Sequence, residues 1–461
     1  MQGEKITLIG AGLVGSLLSI YLAKRGYRVE ILERRPDMRR EEVSAGRSIN
    51  LALSTRGIRA LEKLGLAKDV LSRAIAMRGR GVHLPDGGYG VQSYGQSDSE
   101  CIYSISRNDL NQTLMSAAEK TGQIHIRFNQ RVTSVDLETR EIEVEGPGLS
   151  RECRPAPVLI GTDGSASALR TAMERRLGFE SSTSTLEHGY KELTLPAAAD
   201  GGFQLDKHAL HIWPRATYML IALPNVEGSF TCTLFLPFEG RESFAELRTP
   251  DQVRAFFEAH FPDVLPRFPK LTEEFFSHPT GKMITVKCAP WNAGGDALLL
   301  GDSAHAIVPF FGQGMNSGFE DCLVLDRAIE HAGGDLRRAF DQFSRSRKPD
   351  TDAIADLALE NFVEMRDKVA DPAFQFERRI ERILQREFPG EYLTRYQLVT
   401  FSQVPYSVAL RAGRIQQEIL VRLGSGITDP ERIDLQLAGQ LLRTKLSPVV
   451  QPAIAGSELP G

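Results

Sequence analysis

A glycine-rich turn near the start of the chain constrains the fold more than any other feature of the sequence. Gly10, Gly12 and Gly15 form the pattern G-x-G-x-x-G. An apolar segment, Lys5–Gly10, precedes the turn, and an amphipathic segment, Leu13–Arg25, follows it. The first glycine allows a tight turn, the second lets backbone approach a pyrophosphate, and the third permits close packing of helix on strand. This order predicts the first unit of a parallel sheet that binds a dinucleotide at a helix N-terminus.

An acidic residue closes the second predicted strand. That strand covers Tyr27–Glu33, and Glu33 stands at its carboxyl end. A carboxylate at this position hydrogen-bonds a ribose hydroxyl, whereas a 2′-phosphate would be repelled by it. The pattern therefore favours a cofactor with a plain ribose, such as FAD or NAD.

Length and composition narrow the class of protein. The 461 residues exceed what one hydrophobic core usually serves, so two or more domains are expected. A net charge of −4 without a basic stripe argues against a nucleic-acid partner. The five cysteines contain no C-x-x-C pair, which predicts neither a metal site nor a disulfide framework and suits a reducing compartment. No signal peptide or membrane span is evident, so a cytoplasmic protein is expected.

Two further motifs point to a flavin. Val158–Arg170 contains Asp163 after an apolar strand and resembles the D-G motif of the flavoprotein aromatic hydroxylases, the class A flavin monooxygenases. Ala297–His305 resembles their G-D motif, whose aspartate is here Asp302. Either dipeptide alone marks a simple turn in most proteins. Three motifs in this order resemble the FAD site of that family, and the resemblance implies bound FAD.

The expected FAD contacts come from all three motifs, from the Pro309–Asn316 loop before a predicted helix, and from nearby arginines. They are Gly10, Gly12, Leu13, Gly15, Glu33, Arg34, Arg47, Arg107, Asp163, Asp302, Pro309, Gly312, Gly314, Met315 and Asn316.

The alternation of predicted elements favours an α/β fold. A Rossmann-like FAD-binding domain is interrupted by a β-sheet substrate domain, and a helical region follows it. The predicted FAD-binding domain comprises residues 1–75, 104–184 and 287–370. The predicted substrate domain comprises 76–103, which resembles a β-hairpin, and 185–286. Residues 371–446 are predicted to be helical, and 447–461 are predicted to be a disordered tail.

Between the three motifs, several segments resemble the kynurenine 3-monooxygenase family within those hydroxylases. They are Gly46–Leu53, Met77–Arg80, His188–Leu193, Phe230–Phe235, Leu359–Met365 and Arg395–Phe401. The resemblance covers about residues 5–410. It implies that NADPH reduces the FAD, that O2 is captured as a flavin hydroperoxide, and that L-kynurenine becomes 3-hydroxykynurenine during tryptophan degradation.

The same resemblance implies a substrate site in two parts. Arg80, Tyr94, Asn361 and Tyr396 match residues that hold the amino-acid end of kynurenine, where a guanidinium suits a carboxylate. The expected apolar slot for the aniline ring consists of Leu210, Met219, Ile221, Phe235 and Phe310.

Simpler interpretations remain open for these residues on pattern alone. Arg80 could instead belong to a solvated turn, and Tyr94 and Tyr396 could be ordinary half-buried tyrosines. Leu210, Met219 and Phe235 could simply be part of the hydrophobic core. Asn361 lies within a predicted helix, where asparagine is mildly unfavourable. His305 follows Asp302 and is interpreted as structural rather than as a catalytic base.

Alternatives also remain for the function as a whole. A related hydroxylase of a phenol acid would need no group for an α-amino substituent. A non-catalytic flavoprotein, serving as a redox or interaction module, would bind flavin without substrate-stimulated NADPH oxidation. The resemblance implies that eukaryotic family members are anchored to a membrane by a hydrophobic C-terminal helix. In this sequence the corresponding segment, Leu423–Gly461, is charged and is interrupted by glycine and proline. No membrane anchor is therefore expected, and the chain is expected to be a monomer or homodimer.

Overall fold

The predicted dinucleotide turn lies in a six-stranded sheet. The computed structural model describes residues 4–40, 50–95, 97, 99–365 and 371–458. The strands of this sheet are β1 (Lys5–Ile9), β2 (Arg28–Leu32), β8 (Ile124–Arg127), β12 (Leu159–Gly161), β18 (Asn292–Ala293) and β19 (Ala297–Leu299). Their order is β18-β19-β12-β1-β2-β8, and every neighbouring pair is parallel except β18 with β19. The sheet confirms the expected α/β class.

A seven-stranded sheet forms the second large layer. Its strands are β5 (Gly79–His83), β6 (Tyr89–Ser93), β13 (Glu180–Leu195), β14 (Ala209–Arg215), β15 (Tyr218–Pro224), β16 (Phe230–Pro237) and β17 (Gly281–Ala289). The order is β17-β13-β16-β15-β14-β5-β6, antiparallel except for the β14–β5 pair. The β5–β6 hairpin lies within the segment where a hairpin was predicted, so two distant parts of the chain build one sheet.

Two small antiparallel sheets complete the strands. One has the order β3-β7-β4, and the other has the order β11-β10-β9. The first is made of β3 (Asn50–Leu53), β4 (Ile75–Met77) and β7 (Ile102–Ser106), and the second of β9 (Arg131–Asp136), β10 (Glu141–Gly146) and β11 (Leu149–Pro155).

Helices cover the sheets and dominate the last third of the chain. The first nine are α1 (Leu13–Lys24), α2 (Thr55–Glu62), α3 (Ala67–Leu71), α4 (Arg107–Lys120), α5 (Ala168–Met173), α6 (Pro250–His260), α7 (Leu271–Ser277), α8 (Asp302–His305) and α9 (Gly314–His331). The others are α10 (Leu336–Val363), α11 (Pro372–Glu387), α12 (Arg395–Thr400), α13 (Tyr406–Gly424), α14 (Leu435–Leu441) and α15 (Ser447–Glu458). A π-helical turn, Leu442–Leu446, joins the last two helices.

The C-terminal helices share a hydrophobic core with the seven-stranded sheet. This core joins Met219 and Phe235 on the sheet to Leu398, Tyr406 and other buried side chains of the helices. A separate core surrounds the six-stranded sheet. The helical region is therefore packed over the inner face of the seven-stranded sheet.

The expectation of a disordered tail is wrong as far as Glu458, because α15 covers Ser447–Glu458. The physical reason is apolar burial: Val450 is 3% exposed, and Ala453 and Ile454 pack against the same core. Burial of these side chains offsets the unfavourable effect of Pro452 inside the helix.

Within the described ranges, no helix combines the length and apolar character that crossing a membrane requires.

Candidate active site

A continuous cavity of about 860 Å³ runs from the glycine turn to the inner face of the seven-stranded sheet. It brings together most of the predicted cofactor residues and most of the predicted substrate residues. The predicted residues that line it are Gly10, Gly12, Leu13, Glu33, Arg34, Arg80, Tyr94, Arg107, Asp163, Leu210, Met219, Ile221, Phe235, Asp302, Pro309, Phe310, Gly312, Gly314, Met315 and Tyr396. Gly15, Asn316 and Asn361 do not line it, and Arg47 lies outside the described residues.

The glycine turn has the geometry that a dinucleotide requires. Gly10 has a φ of 99°, and a Cβ there would lie 2.8 Å from the carbonyl oxygen of Thr162. A Cβ on Gly15 would lie 2.1 Å from the carbonyl oxygen of Gly10, so this glycine serves helix–strand packing. No described atom lies within 4 Å of a Cβ on Gly12, which leaves the N-terminus of α1 open to the cavity. The turn therefore fits a pyrophosphate.

Glu33 stabilises the glycine turn through a hydrogen bond to its backbone. Its Oε2 accepts a hydrogen bond from the Ala11 N–H (2.8 Å), and Oε1 accepts from the backbone (3.0 Å) and Nε (2.9 Å) of Arg35. The side chain is buried but still lines the cavity. Its carboxylate thus fits the expected contact with a ribose hydroxyl and also stabilises the turn.

The two later motifs are joined to each other by hydrogen bonds. Asp163 Oδ1 accepts a hydrogen bond from Ser303 Oγ (2.9 Å), and Ser303 Oγ accepts one from the Gly164 N–H (3.0 Å). Asp163 Oδ2 accepts from the Ala168 N–H (2.7 Å) at the start of α5. Asp302 opens α8 with its side chain exposed along the cavity. The carboxylate of Asp302 is thus available to a ligand, whereas that of Asp163 orders the backbone.

Asn316 supports the loop beside the cavity without lining it. Its Nδ2 donates to the carbonyl oxygens of Ala52 (2.9 Å) and Gly312 (2.8 Å), and its Oδ1 accepts from the Ser54 N–H (2.9 Å). Gly312 has a φ of 67°, a conformation that glycine adopts without strain. These bonds hold the Pro309–Asn316 loop against β3 and α2.

His305 belongs to a buried ionic cluster. Its Nε2 lies 2.5 Å from Asp321 Oδ2, and Arg347 donates to the other oxygen of Asp321 (2.7 Å). Both His305 and Asp321 are buried away from the cavity wall. This arrangement supports the structural interpretation of His305 over a catalytic one.

Arg80 lies at the far end of the cavity between two tyrosines. Its Cζ is 4.9 Å from the ring centroid of Tyr396 and 5.6 Å from that of Tyr94. No carboxylate oxygen of a described residue lies within 4.0 Å of its guanidinium. Glu364, whose negative charge acts to raise the pKa of Arg80, is itself paired with Arg378 and with Arg395 (2.9 Å). The Arg80 charge is therefore available to an anionic ligand.

Tyr94 offers a second polar group at this end. Its ring stacks on that of Tyr396 with centroids 5.2 Å apart. Its hydroxyl is buried and, among the described residues, has no hydrogen bond of normal geometry, although Arg80 and Tyr396 lie close by. Burial raises the pKa of Tyr94 well above its ordinary value, so the hydroxyl stays protonated. A buried hydroxyl without a partner beside a free guanidinium fits a carboxylate.

The apolar side of this end comes from neighbouring strands. Leu210 on β14, Met219 and Ile221 on β15, and Phe235 on β16 all line the cavity. The ring of Phe235 lies 5.1 Å from that of Phe310, between centroids. A flat aromatic ligand would fit between these groups.

Asn361 was expected to line the cavity, but it does not. It is 4% exposed, and its Nδ2 donates to the carbonyl oxygen of Phe310 (2.7 Å). It stands in the last turn of α10 rather than in the middle of a helix. Because its amide is used by a backbone carbonyl, Asn361 supports the cavity wall through Phe310.

Several residues that line the cavity were not predicted from the sequence as site residues. They are Tyr190, Thr231, Thr233, Phe311 and Met365. Strand alternation carried a usable signal for two of them, because Thr231 and Thr233 occupy the same face of β16 as the predicted Phe235. Met365 follows α10 and reaches the cavity only through the packing of the helical region.

A carboxylate also faces this side of the sheet. Glu192 pairs directly with Thr233 across β13 and β16, so the two side chains share one face. Burial raises the pKa of Glu192 to about 7, and the charge of Arg107 opposes that rise. Glu192 therefore changes charge near neutral pH beside the cavity.

Comparisons with known proteins agree with this geometry. Residues 4–358 match the family model described as FAD binding domain. A kynurenine 3-monooxygenase of Myxococcus xanthus is 55% identical over 99% of both chains. Proteins of the same name from Stenotrophomonas maltophilia and Dictyostelium discoideum are 46% identical (94% of both chains) and 41% identical (97% of this chain, 99% of the relative).

Solved structures share the fold at low sequence identity. A 2-methyl-3-hydroxypyridine-5-carboxylic acid oxygenase has a TM-score of 0.65 at 20% identity, covering 81% of this chain and 95% of that one. A p-nitrophenol 4-monooxygenase of Pseudomonas putida has a TM-score of 0.64 at 20% identity, covering 91% and 98%. The arrangement of the sheets is therefore the one seen in these oxygenases.

Proposed function

The chain belongs to the kynurenine 3-monooxygenase family, and on that premise we propose that it hydroxylates L-kynurenine to 3-hydroxykynurenine with FAD, NADPH and O2. The single observation that carries the proposal for the substrate is the Arg80 guanidinium, which pairs with no carboxylate of the described residues, beside the buried Tyr94 hydroxyl, which has no hydrogen bond of normal geometry among those residues. This pair suits the carboxylate of an amino acid. The adjoining apolar slot suits an aromatic ring, so the cavity matches both halves of kynurenine.

The protein's share of the reaction is binding and orientation. Bound FAD supplies the redox chemistry, and the glycine turn, Glu33 and Asp302 would hold it. Arg80 and Tyr94 would fix the substrate carboxylate, which orients the ring at the other end of the molecule.

The apolar wall has a second purpose. Phe235 and Phe310 would exclude water from the reacting ring, and exclusion of water favours hydroxylation over release of hydrogen peroxide. The aniline ring is already electron-rich, so the proposal needs no strong protein base.

We also propose that the enzyme acts in the cytoplasm as a monomer or homodimer. All five cysteines are unpaired, which suits a reducing compartment. The described helices include none that could span a membrane.

A substrate series tests the proposal. NADPH oxidation by the FAD-loaded protein is measured with L-kynurenine, with its analogue lacking the carboxylate, and with a hydroxybenzoic acid. We expect strong stimulation by L-kynurenine, weak stimulation by the carboxylate-free analogue because Arg80 loses its partner, and none by the phenol acid. Equal stimulation by the phenol acid would instead support a hydroxylase of phenol acids.

A further inference from the structure

A buried arginine on α2 connects the first part of the chain to the helices that cover the cavity. Arg56 is 1% exposed. Its Nε donates to the carbonyl oxygen of Val399 (2.9 Å), and its Nη2 donates to those of Leu398 (3.3 Å) and Val404. Its Nη1 donates to Glu320 Oε1 (2.7 Å). Because the last carbonyls of a helix lack partners within it, this guanidinium caps the carboxyl end of α12.

Tyr406 completes this connection from α13. The Arg56 Cζ lies 3.9 Å from the centroid of the Tyr406 ring, which is a close cation–π contact. The Tyr406 hydroxyl donates to Gln313 Oε1 (2.9 Å). Gln313 stands between Gly312 and Gly314, two glycines that line the cavity. The Arg56–Tyr406 pair therefore ties α12 to the loop proposed to hold the flavin.

The orientation of α12 matters because this helix carries Tyr396. The Tyr396 ring stacks on Phe311 (centroids 5.7 Å apart) and on Tyr94, and it lies beside the Arg80 guanidinium. The helix has only six residues, too few to be stable by itself. Its position therefore depends on tertiary contacts, which include the burial of Leu398 and the hydrogen bonds to its carboxyl end.

We propose that the Arg56–Tyr406 pair positions α12 so that Tyr396 stands against Tyr94 and Arg80 in the arrangement that binds the substrate carboxylate. Neither Arg56 nor Tyr406 lines the cavity, so both are positioning residues. The inference rests on the proposed function, because it takes L-kynurenine as the ligand of this cavity.

The test is a double-mutant cycle on the FAD-loaded enzyme. The dissociation constant of L-kynurenine is measured from the change in flavin absorbance for wild type, Arg56→Lys, Tyr396→Leu (which removes the aromatic ring) and the double variant. Arg56→Lys is expected to weaken binding about tenfold, because an ammonium cannot reach three carbonyls as a guanidinium does. The double variant should bind within about twofold of the weaker single variant, since both changes affect one contact.

Arg215→Lys is the matched control. Arg215 is also buried, donates to three backbone carbonyls (of His83, Pro214 and His260), and lies near a Phe261 ring. It contacts neither α12 nor the cavity. We expect Arg215→Lys to lower thermal stability while the affinity for L-kynurenine stays within about twofold of wild type.

Two results would overturn the inference. One is a folded, FAD-loaded Arg56→Lys enzyme with the affinity of wild type, and the other is a double variant whose loss equals the product of the single losses. Should Arg56→Lys not fold, Tyr406→Phe removes only the bond to Gln313 and is expected to weaken binding about threefold. Wild-type affinity in Tyr406→Phe would then refute the inference, whereas a wild type that binds no L-kynurenine would refute the proposed function itself.

Discussion

At the scale of single residues, Arg80 decides whether the cavity recognises an amino acid. We expect Arg80→Ala to weaken L-kynurenine binding by about 2–4 kcal/mol, because the carboxylate would lose its charged partner in a buried place. The measurement is the dissociation constant from flavin absorbance. The control is Arg78→Ala, which removes an exposed arginine two positions earlier on the chain and should leave the affinity unchanged. An unchanged affinity in Arg80→Ala would remove Arg80 from the site.

Glu192 predicts a pH dependence of stability. Burial raises its pKa from 4.5 to about 7, so between these values the folded state binds more protons than the unfolded state. Stability from this group therefore falls as pH rises through that window, and the loss is complete above about pH 7. Glu192→Gln should be more stable than wild type by about 1–2 kcal/mol at pH 8, discounted for partial solvent access.

Denaturant unfolding at pH 4.5 and pH 8 checks this prediction. The two proteins should differ at pH 8 and agree at pH 4.5. Glu187→Gln, on an exposed position of the same strand, is the control and should show no such difference. A Glu192→Gln protein whose stability equals that of wild type at pH 8 as well as at pH 4.5 would contradict the assignment.

At the scale of elements, a substitution in the glycine turn should weaken cofactor binding without affecting folding. Gly12→Ala adds a methyl group where the chain leaves open space, at a φ of −71° that alanine adopts freely. The variant should fold with wild-type stability but bind FAD at least about tenfold more weakly, because the methyl group occupies the proposed pyrophosphate position. Gly90→Ala, also in open space but on β6, should change neither property. Full FAD content in Gly12→Ala would contradict the proposed cofactor position.

The last helix should stabilise the whole helical region. Val450 on α15 is 3% exposed, and its truncation to alanine leaves a cavity in a shared core. We expect Val450→Ala to lower the free energy of unfolding by roughly 2 kcal/mol, measured by chemical denaturation. Val421→Ala on α13, where the side chain is 56% exposed, should change it by less than about 0.5 kcal/mol. Equal effects of the two changes would mean that α15 is not packed.

Local elements were predictable wherever a local rule specifies them. The strand, turn and helix around Gly10 follow from close contacts between residues near in sequence, and the structure confirms them. The strand β10 escaped prediction although Glu141, Ile142, Glu143 and Val144 alternate as a half-buried strand does. The helix α15 escaped because the partners that bury Val450 lie on other helices.

At the scale of the whole molecule, the candidate site joins parts of the chain that no local pattern relates. Arg56 bonds a carbonyl 343 positions away, and Asn361 reaches Phe310 across 51. Such contacts depend on how the helical region packs over the sheet. The hydrophobic periodicity of the sequence indicates local elements but not this packing. The resemblance to a family placed Arg80 and Tyr396 together in advance, whereas the supporting roles of Arg56, Asn361 and Asn316 emerged only from the packed structure.

The transfer of one oxygen atom from O2 to L-kynurenine tests the proposed hydroxylation. The FAD-loaded protein is incubated with NADPH, L-kynurenine and oxygen-18 gas, and the product mass and the NADPH consumed are measured together. We predict that L-kynurenine accelerates NADPH oxidation and that the product is 3-hydroxykynurenine carrying a single oxygen-18 atom. NADPH oxidation that L-kynurenine does not accelerate, or that yields only labelled hydrogen peroxide, would contradict it.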